Sequence, residues 1–182
     1  FKFIFFLRYL IAIFFVASVL LLFIPQFFDY KKKEDIIKSY LIKNYGLEVT
    51  KLKNIKFNSF PIPHLQLNGL EANFILRETK INTQKLIIYP KLFSIYNYDN
   101  FDARNISLVN NNVEAKFSDL RFLFLDLYNR KKKLHFNNLN IQIKDQNREV
   151  ISLKKINFFN HGYKKNNVTG EVFSKKFKID LI

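Results

Sequence analysis

Few side chains in this chain could do covalent or metal chemistry. Its three histidines, His64, His135 and His161, could serve as ligands or proton carriers. None has a partner at ligand spacing, and no His-x-x-x-His pair occurs. Cysteine is absent, which removes thiolate metal sites and any disulfide framework. The nearest acid pairs, Glu34-Asp35 and Asp99/Asp102, suit helix capping and loop solvation better than general acid–base work. With four glycines there is no phosphate loop, no dinucleotide turn and no Gly-x-Ser-x-Gly elbow. The residues therefore point away from an enzyme, and they call for no cofactor and no metal.

What the chain has in excess is apolar and aromatic strand residues. Phe57, Leu65, Leu67, Phe74, Ile88, Ile106, Phe136, Ile141 and Phe158 are expected to line one face of a sheet. That face reads in two ways. It is either a core sealed by helices or a concave apolar surface left open to acyl chains, whose burial is favourable by about 0.8 kcal/mol per CH₂.

The elements that position this face follow from periodicity. Tyr9 to Phe28 is about 20 residues without a charge, roughly 30 Å of helix and the thickness of a bilayer's apolar core. It reads as a retained membrane anchor, not a cleaved leader, because Ala17-Ser18-Val19 is a poor cleavage site and the run exceeds a usual leader. Lys2 and Arg8 flank it on one side and Lys31, Lys32 and Lys33 on the other, so charge does not orient it. Those three lysines suit anionic lipid headgroups.

Asp29, Glu34 and Asp35 mark the start of a short amphipathic helix, with Ile36, Ile37, Tyr40, Leu41 and Tyr45 on one face. Gly46 stops it. The expected divisions are an anchor at 1–28, a juxtamembrane helix at 29–46 and a β-domain at 47–182.

From Leu47 the period becomes two. Val49, Leu52, Ile55 and Phe57 suggest one strand with an irregularity, and Pro61-Ile62-Pro63 marks a turn. Alternation resumes from His64 to Leu76, with a phase slip at Asn68-Gly69 where a bulge could sit. Further strands are expected at 81–89, 134–143, 150–158, 168–173 and 177–181. Residues 91–98 read as a turn or loop, and Asp145-Gln146-Asn147 as a connection. Residues 101–108 and 113–117 read as a hairpin around Asn110-Asn111-Asn112, and 119–129 as a helix capped by Ser118. The pattern apolar-x-x-apolar-x-apolar recurs at steps near one or two multiples of about 17 residues, which favours an elongated sheet built by adding strands. The expected fold is mainly β with few helices and an antiparallel sheet.

The net charge of +15 raises the question of nucleic acid. The basic residues are mostly scattered lysines that travel with Asn, Ile, Phe and Tyr, and no recognition module is present, so nucleic acid is not the expected partner. The first residue is Phe and the last residues stop within an alternating pattern, so the chain is expected to be part of a longer protein.

The order of elements from Lys31 to Phe74 resembles the N-terminal end of the AsmA-like family. The likeness lies in the helix ending at Tyr45-Gly46, the Pro61-Ile62-Pro63 turn and the strand Leu65-Gln66-Leu67-Asn68-Gly69-Leu70. Residues 81–108 share the rhythm. Lys53-Asn54 departs from the family, which commonly carries a basic residue and a second Gly there. The resemblance implies a single-pass inner-membrane anchor, a periplasmic body and a curved, taco-like groove. It implies phospholipid transfer toward the outer membrane or support of its assembly. The alternative is an envelope scaffold, or a single-span subunit of lipopolysaccharide-export type, that binds a periplasmic or outer-membrane protein instead of lipid.

Overall fold

The computed structural model describes residues 2–75, 79–91, 93–145, 148–162 and 165–181. Leu76 and the Gln146-Asn147 connection lie outside these residues. The chain opens with α1 (Lys2–Phe23), continued by a 3-10 turn over Ile24–Phe27. The span long and apolar enough to cross a membrane is Ile4–Phe27; its most apolar stretch is not buried in the protein, and Pro25 near its end is. It begins earlier than the uncharged run because Arg8 is carried within the helix, its guanidinium 5.9 Å from the Phe5 ring.

Asp29 does not cap the helix: its side chain accepts a hydrogen bond from the Lys31 N–H at 3.1 Å, at a 3-10 turn over Lys31–Lys33 that precedes the helix and starts from Tyr30. The helix proper, α2 (Glu34–Tyr45), ends at Gly46, whose φ of 61° is the left-handed stop that favours glycine. Ile37, Leu41 and Tyr45 are fully buried, so α2 packs on the sheet as its periodicity predicts.

Among the described residues nine strands form one open sheet: β1 (Leu47–Lys51), β2 (Asn54–Asn58), β3 (His64–Phe74), β4 (Lys80–Pro90), β5 (Ala103–Lys116), β6 (Lys133–Asp145), β7 (Arg148–Asn160), β8 (Asn166–Val172) and β9 (Lys175–Leu181). Their order is β1-β3-β4-β5-β6-β7-β8-β9, with β2 continuing the line of β1 beside β3. The expected single irregular strand at 47–57 is thus two short strands on one edge.

Two expectations are corrected. There is no hairpin at Asn110-Asn111-Asn112: β5 continues through these residues as one 14-residue strand. Nor is the sheet wholly antiparallel, since β5 and β6 pair in parallel. Both follow from the helix α3 (Leu120–Asn129), which carries the chain back to the start of the sheet. Ser118 does not cap it; its hydroxyl donates to Asp119 at 3.3 Å.

A line of left-handed residues crosses the sheet. Gly69, Asn110, Asn138 and Lys155 have φ of 58°, 55°, 54° and 52°. The registers place Gly69 beside Gln84, Gln84 beside Asn110 and Asn110 beside Asn138. At each kink two consecutive residues face outward before the apolar side returns to the same face, as in Phe136-Asn137-Asn138-Leu139. The asparagines tie this crease together: Asn110 donates to Gln84 at 2.6 Å and Asn138 to Asn110 at 2.9 Å. Beneath it the buried Thr83 hydroxyl donates to Asn111, whose amide donates to the Leu108 and Asn137 carbonyls at 3.0 and 3.2 Å.

Asparagine tolerates the left-handed region where a β-branched residue does not. Asn138→Val is expected to cost about 1–2 kcal/mol and to lower the midpoint of thermal unfolding by about 3–6 °C, whereas Asn138→Gly, which loses the bond to Asn110 but keeps the left-handed backbone, is expected to lose about half as much. Circular dichroism of the full chain in detergent measures both. Equal losses in the two variants would show that the backbone conformation is not what the position needs.

Candidate functional site

Cross-strand register builds the apolar face row by row. Phe57 pairs with Leu65, then Ile88, Ile106 and Leu134 follow across the sheet. The next row runs Leu67, Leu86, Leu108, Phe136, Phe158, Val168 and Ile179. Beyond the crease, Phe74 sits opposite Leu47, and Ile141 lies between Val113 and Leu153. All nine residues expected on one face are on that face.

The face is curled. Gly46 accepts a hydrogen bond from the Ile75 N–H at 3.0 Å, at the far end of β3. The neighbouring Tyr45 hydroxyl donates to the Lys133 carbonyl at 3.4 Å, at the start of β6. In register, Lys133 is level with the start of β3. Those two corners would stand about 35 Å apart along the strands of a flat sheet. One helix end touches both, so the sheet wraps around α2.

Exposure divides the face into a closed and an open part. Leu65, Leu67, Ile88 and Ile106 are fully buried, and Phe57, Phe74, Phe136 and Phe158 are buried. Ile141 is half-buried. This part is a core, covered by α2 and by Leu120, Leu123 and Leu127 of α3. Along β8 and β9 the cover ends: Val168, Val172 and Phe177 are half-buried and Ile179 is 46% exposed. Those open residues were legible as alternation at 168–181 but were not singled out by sequence. A second opening, a cleft of 530 Å³, lies between the two helices and is lined by Phe74, Ile75, Phe122, Leu123, Asp126 and Arg130. Phe122 and Phe124 leave about half their surface in solvent, a feature that sequence reading missed because α3 competed with a strand there.

Polar groups fasten the closed end. Asp102 pairs with Lys91 and Lys132 at 2.6 Å each and accepts from the Tyr40 hydroxyl at 3.3 Å. Burial pushes its carboxyl up, but hydrogen bonds from Lys132, Lys91 and the Ala103 N–H outweigh this and hold it at about 2. Burial also pushes the Tyr40 hydroxyl up, and the Tyr45 hydroxyl to about 12. Asn160 donates to the carbonyls of Leu127 and Arg130 at 3.2 and 2.9 Å, pinning the end of α3 to β7.

Lys31, Lys32 and Lys33 follow directly on the end of the apolar span. Lys31 and Lys32 are exposed, and Lys32 makes a loose 3.8 Å pair with Asp29. His135 and His161 come together, with ring centroids 6.4 Å apart, while His64 contacts Asn58 and the Ile62 carbonyl. Burial pushes His135 down first, and the charges of His161 and Lys133 add to this. Among the described residues no three His, Asp or Glu side chains gather as a metal site. The chain matches no protein-family model and no curated protein.

The folded value of Asp102 lies below its unfolded one, so its ion pairs stabilise the fold above about pH 4 and lose that effect as pH falls toward 2. Asp102→Asn is expected to lower the unfolding temperature at neutral pH, with the gap to the parent closing near pH 2. Melting curves across that range check it. A gap that does not change with pH would sink the ion-pair account.

Proposed function

We propose that this chain is a membrane-anchored lipid-carrying groove of AsmA-like type, single-pass in an inner membrane with its body in the periplasm. The groove takes the acyl chains of phospholipid, moves them toward the outer membrane and so supports outer-membrane assembly. The observation that carries this reading is the apolar row from Leu67 to Ile179. It is continuous in register, buried at one end and increasingly exposed at the other. Open apolar surface of this kind is costly in water and gains about 0.8 kcal/mol for each CH₂ it takes in. The nine residues of the buried rows would serve as the floor and wall of the groove, and acyl chains would lie on its β8–β9 side and in the cleft under α3. Lys31, Lys32 and Lys33 would sit among the headgroups where the anchor leaves the bilayer. The reaction is transport of an intact lipid, with no bond made or broken.

One observation favours a second reading. β9 is the last strand of the described sheet, and a terminal strand beside an uncovered apolar face can receive a partner's strand. The chain would then be an envelope scaffold, or a subunit of lipopolysaccharide-export type.

Photo-crosslinking separates the two. Benzoylphenylalanine replaces Ile179 on the inner face, Phe74 in the cleft, and Lys178 as a control. Lys178 is exposed and lies between inner-facing Phe177 and Ile179 on a strand of unbroken register, so its own side chain lies on the outer face. Lipid adducts are expected from Ile179 and Phe74 and not from Lys178. Adducts to protein alone from the two inner positions would replace lipid carriage with scaffolding.

A further inference from the structure

The sheet does not hang from its anchor by a flexible tether. The Ser59 hydroxyl, in the turn before β3, donates to the Leu22 carbonyl at 2.6 Å and accepts from Gln26 at 2.9 Å. The Tyr96 hydroxyl, in the turn after β4, donates to the Leu21 carbonyl. Phe28 meets Tyr96 edge-on at 5.9 Å, and Tyr30 stacks on Phe57 at 6.5 Å. A small apolar cavity of 190 Å³ lies where the helix end, Ile62, Pro63, Ile95 and Tyr96 meet. Two turns thus grip the helix from the side at Leu21 and Leu22, inside the span that ends at Phe27. That grip lies about 8 Å back from the end of the apolar run.

The outward side chains of these turns are apolar. Phe60 is 83% exposed, Phe93 70% and Ile62 59%, with Phe27 at 86% beside them. Apolar side chains this large on loop tips are unfavourable in water. Their surroundings say what covers them: they stand in two turns bonded to a helix whose apolar stretch is bare and fit for lipid, at Leu21 and Leu22, before the helix's end. We infer that the Ser59–Pro63 turn and the Phe93–Tyr96 turn are membrane-docking loops. Phe60, Ile62 and Phe93 sink into the acyl boundary of the leaflet that the anchor leaves. With the two turns fixed to the helix backbone, the sheet then stands at a set attitude to the bilayer. The inference rests on the anchor crossing the membrane and is independent of whether the groove carries lipid.

The chain contains no tryptophan, so single-tryptophan variants report without background. Phe60→Trp, Phe93→Trp, Phe15→Trp within the span and Phe173→Trp, 80% exposed at the β8–β9 turn, are each reconstituted as the full chain. The vesicles contain phosphatidylcholine brominated high on its acyl chains. Phe60→Trp and Phe93→Trp are expected to lose about half their fluorescence and to emit to the blue, consistent with burial at the headgroup–acyl boundary. Phe173→Trp is expected to stay unquenched. Quenching at Phe15→Trp with none at Phe60→Trp and Phe93→Trp overturns the docking loops and leaves the anchor standing, the two turns then facing a protein. Absence of quenching at all four positions overturns the anchor and the loops together.

Discussion

The side-chain period of a strand is two, so any extra residue turns every later side chain to the opposite face. A long curled sheet must bend, and a bend that inserted a residue in one strand alone would scatter its apolar set. Here the break is shared. Gly69, Asn110 and Asn138 take the left-handed turn at the same level, and Gln84 of β4 keeps step between the first two. All four strands skip one outward position together, and Leu67/Leu70, Leu86/Thr83, Leu108/Asn111 and Phe136/Leu139 remain on the inner face. The asparagine side chains that bridge the crease hold it in register where ordinary pairing is disturbed. Further across, β7 and β8 lose strict register near Lys155, and the small residue Gly170 lies against Ile156 and the Phe177 ring.

The curl that this crease permits explains why two short helices suffice as a lid. A flat nine-stranded sheet would need cover along its full length. Wrapped around α2, the sheet brings the end of β3 and the start of β6 to the same helix terminus, and Tyr40, Tyr45 and Asp102 fasten the seam. The parallel β5–β6 pair belongs to the same solution. A hairpin between those strands would leave no connection long enough to hold a helix, whereas the return crossover delivers α3 over the inner face.

Much of this could be read from the residues. Gly46 as a helix stop, the amphipathic face of α2, the Pro61–Pro63 turn and most strands follow from local chemistry. The recurring apolar-x-x-apolar pattern was a true signal, and its cause is the crease: the two skipped positions are the kink. It was misplaced on β5, where it fitted Ala103/Ile106/Leu108 while the kink falls at Leu108-Val109-Asn110-Asn111. A buried asparagine stands there in an apolar slot, and a pattern of hydrophobicity passes over it. The run of three asparagines therefore looked like a turn between two strands. Local chemistry carries no signal that Asn111 would find Thr83 and Asn137 as partners in the core. Strand direction was illegible for a related reason, since it depends on whether residues 120–129 fold as helix, and Phe122 to Leu127 satisfies both periods. The apolar face itself was legible; which part of it is covered was not, because cover is set by the curl.

The distribution of polar fastening bears on how the molecule divides its labour. At the anchor end Asp102 joins two lysines, Ser59 and Tyr96 grip the helix backbone, and four aromatic rings close the junction. At the β8–β9 end the bonds are exposed side-chain pairs such as Lys155 with Glu171, of the kind that adds little to stability. The inner rows there have half-exposed apolar residues and, among the described residues, no helix above them. A rigid base with a lightly held, apolar far side is the arrangement expected where the base fixes position and the far side exchanges what it covers. Among the described residues the helices cover Leu65 and Ile88 fully, and Val168 and Ile179 only in part or not at all, so the two ends of one apolar row meet different surroundings.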